Sequence, residues 1–364
     1  MRPLARLCVR RCVELCVRLV GVAPLLAVAA CGETSLYASE PSPSEADPPA
    51  PPDDPAPSDE PQVSSSTFYV EGATLRDRCG SEVVLRGVNE MVAWSDGQDG
   101  VPELAEIAKT GANAARIVWV STEPPAALER AIAAAGAAGL VAVAELHDGQ
   151  GDFEALPRLV DYWTRPETVA VVARHERHLL VEIGGGLGDV VEPSEWVDGY
   201  RAALQSLRAA GIRTPIVVHA PAFGNDRARL LESGRAVLDA DPAGNVLLAF
   251  TAWTGTVPTI IEDLEAFAAA DLPVFVAEFS AYSIRECPTF RFDYSSFLEA
   301  TARLRVGWFA WSWGGVSNST CSGALDMTTD GTLATLTGWG LDVALGDPHG
   351  ISHTSDPVRP PCGP

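Results

Sequence analysis

From Phe68 onward, short runs rich in β-branched residues alternate with longer stretches whose apolar positions recur at helical spacing. Eight runs predict strands, at 83–89, 114–120, 141–147, 179–183, 216–219, 246–251, 274–279 and 306–313. Between them lie helical patterns such as 126–138 and 196–210, the second followed by Gly211 where a helix stop belongs. Residues 68–85 read as a hairpin that turns near Asp77-Arg78-Cys79-Gly80. Strand and helix repeated eight times predict a (β/α)8 TIM barrel with an N-terminal β-hairpin. An open doubly wound sheet would carry a glycine-rich turn after its first strand, and none follows this one.

The residues before this pattern are of a different kind. Arg2, Arg6, Arg10, Arg11 and Arg18 precede an apolar run at 19–30 that ends in Val28-Ala29-Ala30-Cys31. A basic region, a short apolar core and small residues at the cut predict a secretory signal over residues 1–30. Cys31 then becomes a lipidated first residue, and membrane contact is through that lipid anchor alone. With Gly32 after Cys31, the expectation is an exported bacterial lipoprotein at the outer membrane or cell surface. Residues 31–66 are dominated by Pro, Ser and acids, with no basic residue between Gly32 and Arg76. Such a segment buries too little apolar area to fold and predicts a tether. The barrel domain is expected over 67–358 and a short tail over 359–364.

A net charge of −22 argues against nucleic acid as a partner, because binding it takes a basic face. The exported part keeps Cys79, Cys287, Cys321 and Cys362. Outside the cytoplasm an even count favours two disulfides. The loops after the seventh and eighth strands hold Cys287 and Cys321, which favours Cys287–Cys321 and leaves Cys79–Cys362. No Cys or His pair has zinc spacing, so neither a metal nor a cofactor is expected. An acidic tethered barrel is most simply a monomer.

In a (β/α)8 barrel the chemistry gathers at the C-terminal strand ends. Those ends read Asn89-Glu90, Arg116, His147-Asp148, Gly185-Gly186, His219, Thr251 with Trp253, Glu278, and Trp311. Any one of these has a bland explanation as an ion pair or a core ring. Together they make a polar and aromatic ring in which the seventh strand supplies a carboxylate.

Several segments resemble glycoside hydrolase family 5, most closely its bacterial endo-β-1,4-mannanases. Leu85-Arg86-Gly87-Val88-Asn89 with Ala93-Trp94 is similar to the first strand and its loop, and Gly111-Ala112-Asn113-Ala114-Ala115-Arg116 to the second. Glu145-Leu146-His147-Asp148, Ala277-Glu278-Phe279 and Gly307-Trp308-Phe309-Ala310-Trp311-Ser312-Trp313 resemble the third, seventh and eighth. The likeness continues through Leu336-Thr337-Gly338-Trp339-Gly340 to Thr354-Ser355. It implies a retaining glycosidase on β-1,4-linked polysaccharide, mannan or glucan. It also implies Glu278 as nucleophile, Arg116 and His147 beside it, and Trp311 and Trp94 as sugar platforms.

The same resemblance exposes departures. Val181-Glu182-Ile183-Gly184-Gly185-Gly186 aligns without a gap to the fourth strand, so Gly185 takes the asparagine position and Gly186 that of the general acid/base. Thr251 and Trp253 stand where the sixth strand has His and Tyr, changes expected to strip polar groups from the nucleophile. Retaining chemistry needs two carboxyl groups about 5 Å apart. Loss of general acid assistance costs a factor of about 10²–10⁴. The expectation is an impaired, glycan-binding homologue with open space beside Glu278. The alternatives are an active hydrolase or transglycosylase whose acid has moved to Asp189 or Glu192, with Glu90 a weaker substitute, and a surface scaffold without a sugar ligand. Glu182, four residues earlier on its strand, is expected about 13 Å deeper and out of play.

Overall fold

The computed structural model describes residues 65–95, 99–283, 287, 289–314 and 320–358. The signal segment, Cys31, the tether up to residue 64, Cys362 and the tail 359–364 lie outside the described residues.

The hairpin forms, but with a different turn. β1 (Tyr69–Glu71) and β2 (Thr74–Arg76) pair antiparallel, Glu71 opposite Thr74, leaving Gly72-Ala73 as a two-residue connection. Gly72 at φ +59° supplies the left-handed backbone such a turn requires. The expected turn at Asp77–Gly80 also exists. It lies one step later, where the Asp77 carboxylate accepts the amides of Cys79 and Ser81 and the chain returns to bridge Arg76 with Glu82.

Eight parallel strands follow: β3 (Arg86–Glu90), β4 (Ala114–Trp119), β5 (Val141–Leu146), β6 (Leu179–Glu182), β7 (Ile216–His219), β8 (Val246–Thr251), β9 (Val274–Phe279) and β10 (Gly307–Ala310). Their sheet closes, with β10 hydrogen-bonded to β3. The helices are α1 (Val101–Ala108), α2 (Pro125–Ala137), α3 (Leu156–Thr164), α4 (Pro166–His175), α5 (Pro193–Ala209), α6 (Arg227–Leu238), α7 (Val257–Ala269), α8 (Tyr294–Arg303), α9 (Gly338–Leu341) and α10 (Ile351–Thr354). Proline in the first turn opens six of these, and Asp226, Thr256 and Asp293 cap α6, α7 and α8 by accepting a backbone amide.

Strand side chains alternate between two packed layers. One set faces the helices and joins the main core. The other fills the barrel: Leu85, Val143, Leu180, Val217, Leu247, Ala249, Phe275 and Phe309 pack inside, with Phe68 and Leu75 of the hairpin closing the base. Above that apolar layer the register sets polar residues side by side, Asn89 opposite Arg116, Glu145 opposite Glu182, Thr251 opposite Glu278. Irregularities in the β8–β9 and β9–β10 ladders fall just before Thr251 and Ala310, re-aiming the residues that follow. Cys287 and Cys321 are joined in a disulfide, linking the segments beyond β9 and β10.

Candidate active site

Arg116 organises the strand ends. Fully buried, it donates Nε and Nη2 to the two carboxylate oxygens of Glu182 at 2.8 and 2.7 Å, and Nη1 to Glu278 at 2.9 Å and Asn89 at 2.8 Å. Its Nη2 also stands 3.5 Å from Glu145. One guanidinium thus faces three buried carboxylates. Burial opposes its charge, but Glu182, Glu145 and Glu278 hold it more firmly protonated than usual. Asn89 is fixed by donating to the carbonyls of Ala277 and Ala310, so β3, β4, β9 and β10 are knitted at one level.

Glu182 is therefore not remote, as strand spacing suggested. Its inward side chain rises to Arg116 and also meets His219 Nδ1 at 2.9 Å. Burial pushes its carboxyl up, yet Arg116 and His219 hold it at about 2, so it is an ionised anchor and not a proton donor. His147 reaches Glu145 through Nδ1 at 3.1 Å. Burial works against its charge, and the Glu145 carboxylate more than offsets this, raising the imidazole above its ordinary value.

Glu278 is 3 % exposed. Its second oxygen accepts the indole N–H of Trp253 at 2.7 Å. The expectation that Trp253 removes a polar contact from Glu278 is thus corrected, because the indole supplies one. Trp311 is 5 % exposed, stacked on His147 (5.7 Å, 19°), edge-on to Trp253 and packed with Val118 and Leu325. It forms a wall of the site largely covered by these neighbours. Trp94 is 48 % exposed and meets His147 edge-on at 6.0 Å, so it presents an aromatic face to solvent at this mouth.

The three glycines are buried, and the space beside them is filled. A Cβ at Gly185 would stand 2.1 Å from Glu145 Oε1, so the Glu145 carboxylate occupies that volume. A Cβ at Gly186 would stand 2.6 Å from the Phe223 carbonyl carbon and 2.8 Å from the Gly224 nitrogen. The opening expected beside Glu278 is therefore closed on the Gly186 side by backbone from the segment after β7. Thr251 secures that segment: its amide donates to the Gly224 carbonyl at 2.8 Å and its hydroxyl to the Phe223 carbonyl at 3.2 Å. The Phe223 amide donates to Gly188, and the Gly186 carbonyl accepts from Gly151. Ala222 and Phe223 both sit at φ +56°, a backbone state costing about 1–2 kcal/mol per non-glycine residue, which these hydrogen bonds offset. Gly224 has no alternative, since a Cβ there would meet His219 Nε2 at 2.7 Å. The departures on the fourth and sixth barrel strands thus converge on one inserted segment, Phe223-Gly224.

Asp189 and Glu192 stand exposed beyond Gly188, Glu192 immediately before α5, whereas Glu278 is buried. Glu90, 1 % exposed, faces away from this cluster; the charges acting on it are those of Glu103 and Asp326. Among the described residues, the hydrogen-bond partners of the Glu278 carboxylate are Arg116 and Trp253. Sequence reading missed the part played by Glu145, Glu182 and Phe223-Gly224. The run His219-Ala220-Pro221-Ala222-Phe223-Gly224 signals a turn but not where it lands.

A closed (β/α)8 barrel with carboxylates, a guanidinium and indole rings at its C-terminal strand ends belongs to the architecture of glycoside hydrolases. Its relatives narrow that class. The chain is 30 % identical over 306 residues to the mannan endo-1,4-β-mannosidase of Cellvibrio japonicus, a match covering 80 % of this chain and 69 % of that protein. It is 30 % identical over 303 residues to the mannan endo-1,4-β-mannosidase of Salipaludibacillus agaradhaerens, covering 80 % and 94 %. Among solved structures, the β-mannanase of Streptomyces thermolilacinus with mannohexaose superposes with TM-score 0.73 at 32 % identity, over 80 % of this chain and 97 % of that one. The mannotriose complex of Thermomonospora fusca β-mannanase gives 0.72 at 26 %, over 80 % and 98 %. No family model matches the chain. The chain belongs to glycoside hydrolase family 5, beside its mannan endo-1,4-β-mannosidases.

Proposed function

We propose that this protein is a non-hydrolysing, glycan-binding member of its family, a lipid-anchored surface protein that holds β-1,4-mannan without cleaving it. The observation that carries the reading is the occupation of the Gly186 side of the site by the Phe223-Gly224 backbone. Retaining hydrolysis takes a nucleophile and an acid/base about 5 Å apart across the scissile bond. Glu278 fits the first role by its burial and by its contacts with Arg116 and Trp253. For the second role Gly186 offers no titratable group, and the inserted segment denies a neighbouring carboxyl group the same place. An acid relocated to Asp189 or Glu192 is disfavoured, because both are exposed while Glu278 is buried beneath the indoles. Mannan as ligand follows from the mannohexaose and mannotriose complexes of the similar β-mannanases, and from the exposed indole of Trp94 at the mouth. Anchoring through Cys31 and a monomeric state complete the proposal.

The experiment pairs two assays on the full-length chain. Affinity electrophoresis in β-mannan should retard it, while prolonged incubation with the same polymer should release no reducing sugar. Hydrolysis above the background of a Glu278→Ala control would overturn the reading, and absence of retardation would leave a scaffold.

A further inference from the structure

A groove of about 910 Å³ lies beside the barrel mouth, between the start of α8 with the segment leading to it and the residues around α9. Tyr282, Asp293, Tyr294, Asp326, Trp339 and Asp342 are among its walls. None of these belongs to the Arg116–Glu278 cluster. We propose that this groove is a second glycan-binding site, taking a neutral β-linked oligosaccharide independently of the barrel mouth; the choice of sugar as ligand rests on the function proposed above.

Its volume is within the range of about 300–1,000 Å³ usual for sites that enclose small ligands. The walls combine the two surfaces a sugar requires. Tyr294 and Trp339 meet at 6.5 Å with their planes at 54°, forming an aromatic corner against which the C–H face of a pyranose can pack. Carboxylates stand beside it as acceptors for hydroxyl groups. They are held in place: Tyr294 Oη donates to Asp342 at 2.8 Å, and Asp293, capping α8, accepts the Ser296 amide and hydroxyl. Trp339 is 9 % exposed and its indole nitrogen is buried, so Trp339 backs the corner and the half-buried Tyr294 faces the groove.

The acidic walls invite comparison with a cation site, and the local arrangement opposes a cationic ligand. Asp293 and Asp342 already accept donors from the protein. Burial raises the Asp326 carboxyl, which weakens it as a fixed anion. Arg291 places its guanidinium in the same groove, 5.8 Å from the Tyr282 ring centre. Tyr282 lines the groove and also packs against the cluster that contains Trp311, so its ring stands between the groove and that cluster. A sugar in the groove needs no space beside Glu278, and the inserted Phe223-Gly224 segment leaves this site untouched.

Titration calorimetry of the full-length chain with mannohexaose tests the proposal through three variants, Tyr294→Ala, Asp342→Asn and Trp94→Ala. Asp342 is exposed and Tyr294 half-buried, and retained melting temperature checks that the fold survives. The expected result is two binding events, one weakened about tenfold by Tyr294→Ala and more mildly by Asp342→Asn, the other lost in Trp94→Ala. Heats should be insensitive to salt, as befits a neutral ligand. Binding abolished by Trp94→Ala and indifferent to both groove variants would overturn the second site while leaving the proposed function standing. No binding by any form overturns both. A groove that binds spermine but not mannohexaose overturns the assignment to sugar.

Discussion

Gly186 and Phe223 touch backbone to backbone, so closely that a Cβ on Gly186 would lie 2.6 Å from the Phe223 carbonyl carbon. The missing side chain is therefore not a gap. Restoring it means displacing main chain that Thr251 and Gly188 hold by hydrogen bonds. Gly186 also sits at φ +56°, where any L-side chain is strained.

Putting the carboxylate back should consequently fail. Gly186→Glu is expected to lower stability by about 2 kcal/mol or more, from backbone strain plus overpacking. The fourfold change Gly185→Asn, Gly186→Glu, Thr251→His and Trp253→Tyr should fare no better, because the Gly185 volume is filled by Glu145. Urea unfolding and a reducing-sugar assay on both variants decide this. Recovery of mannan hydrolysis by either one would mean that the inserted segment yields.

Trp253 supplies one of the two hydrogen-bonding groups of the buried Glu278 carboxylate. Trp253→Phe keeps an aromatic ring and deletes the N–H, leaving Glu278 Oε2 unpaired. A hydrogen bond to a buried charged group is worth about 1.5–3 kcal/mol, and that much stability should be lost at neutral pH. An unchanged denaturation midpoint would show that the indole N–H contributes nothing and that its 2.7 Å contact is incidental.

The barrel was legible because each strand must bury both faces and each helix one, and that requirement leaves alternating runs in any one sequence. The strands at 216–219, 246–251 and 274–279 coincide with β7, β8 and β9. The eighth, expected to reach residue 313, stops at Ala310: beyond it the Ser312 amide turns to the Leu325 carbonyl of a loop, while the Trp311 and Trp313 amides donate to Phe279 of β9 and Asn89 of β3. The hairpin turn was misjudged because Gly72-Ala73 is a weaker signal than Asp77–Gly80, yet both turns form. At the site, sequence position located Arg116, Glu278 and the glycines on neighbouring strand ends. It could not disclose what fills the space left by a glycine, since that depends on where the segment after β7 folds back. Nor could it reveal that Glu182 faces Arg116, a matter of inward alternation and barrel stagger.

Acid should weaken the cluster before it unfolds the rest. The Glu182 carboxyl is held at about 2 in the folded protein against an ordinary 4.5. A depressed carboxyl contributes stability above its unfolded value and loses it as the pH falls toward the folded one. The melting temperature of the wild-type chain should therefore decline between pH 4.5 and about 2. Glu182→Gln should flatten that decline and start from a lower plateau at neutral pH, since Arg116 then loses its bidentate partner. Parallel acid limbs for the two proteins would remove Glu182 from the account.

Glu90 acts with the opposite sign. It is 1 % exposed, neither carboxyl oxygen has a well-formed hydrogen bond among the described residues, and burial, with Glu103 and Asp326 nearby, raises it well above 4.5. A raised carboxyl leaves stability intact below its unfolded value and erodes it as the pH climbs toward the folded one, because only the unfolded chain releases the proton freely. Glu90→Met replaces this group by an apolar side chain of similar length, and should stabilise the protein by about 1–3 kcal/mol at neutral pH. The gain should shrink below pH 4.5, where wild-type Glu90 is protonated in both states. Melting curves of the two proteins across that range decide the matter. A variant less stable than wild type at neutral pH would mean that the Glu90 carboxyl has a bonding partner that holds its charge.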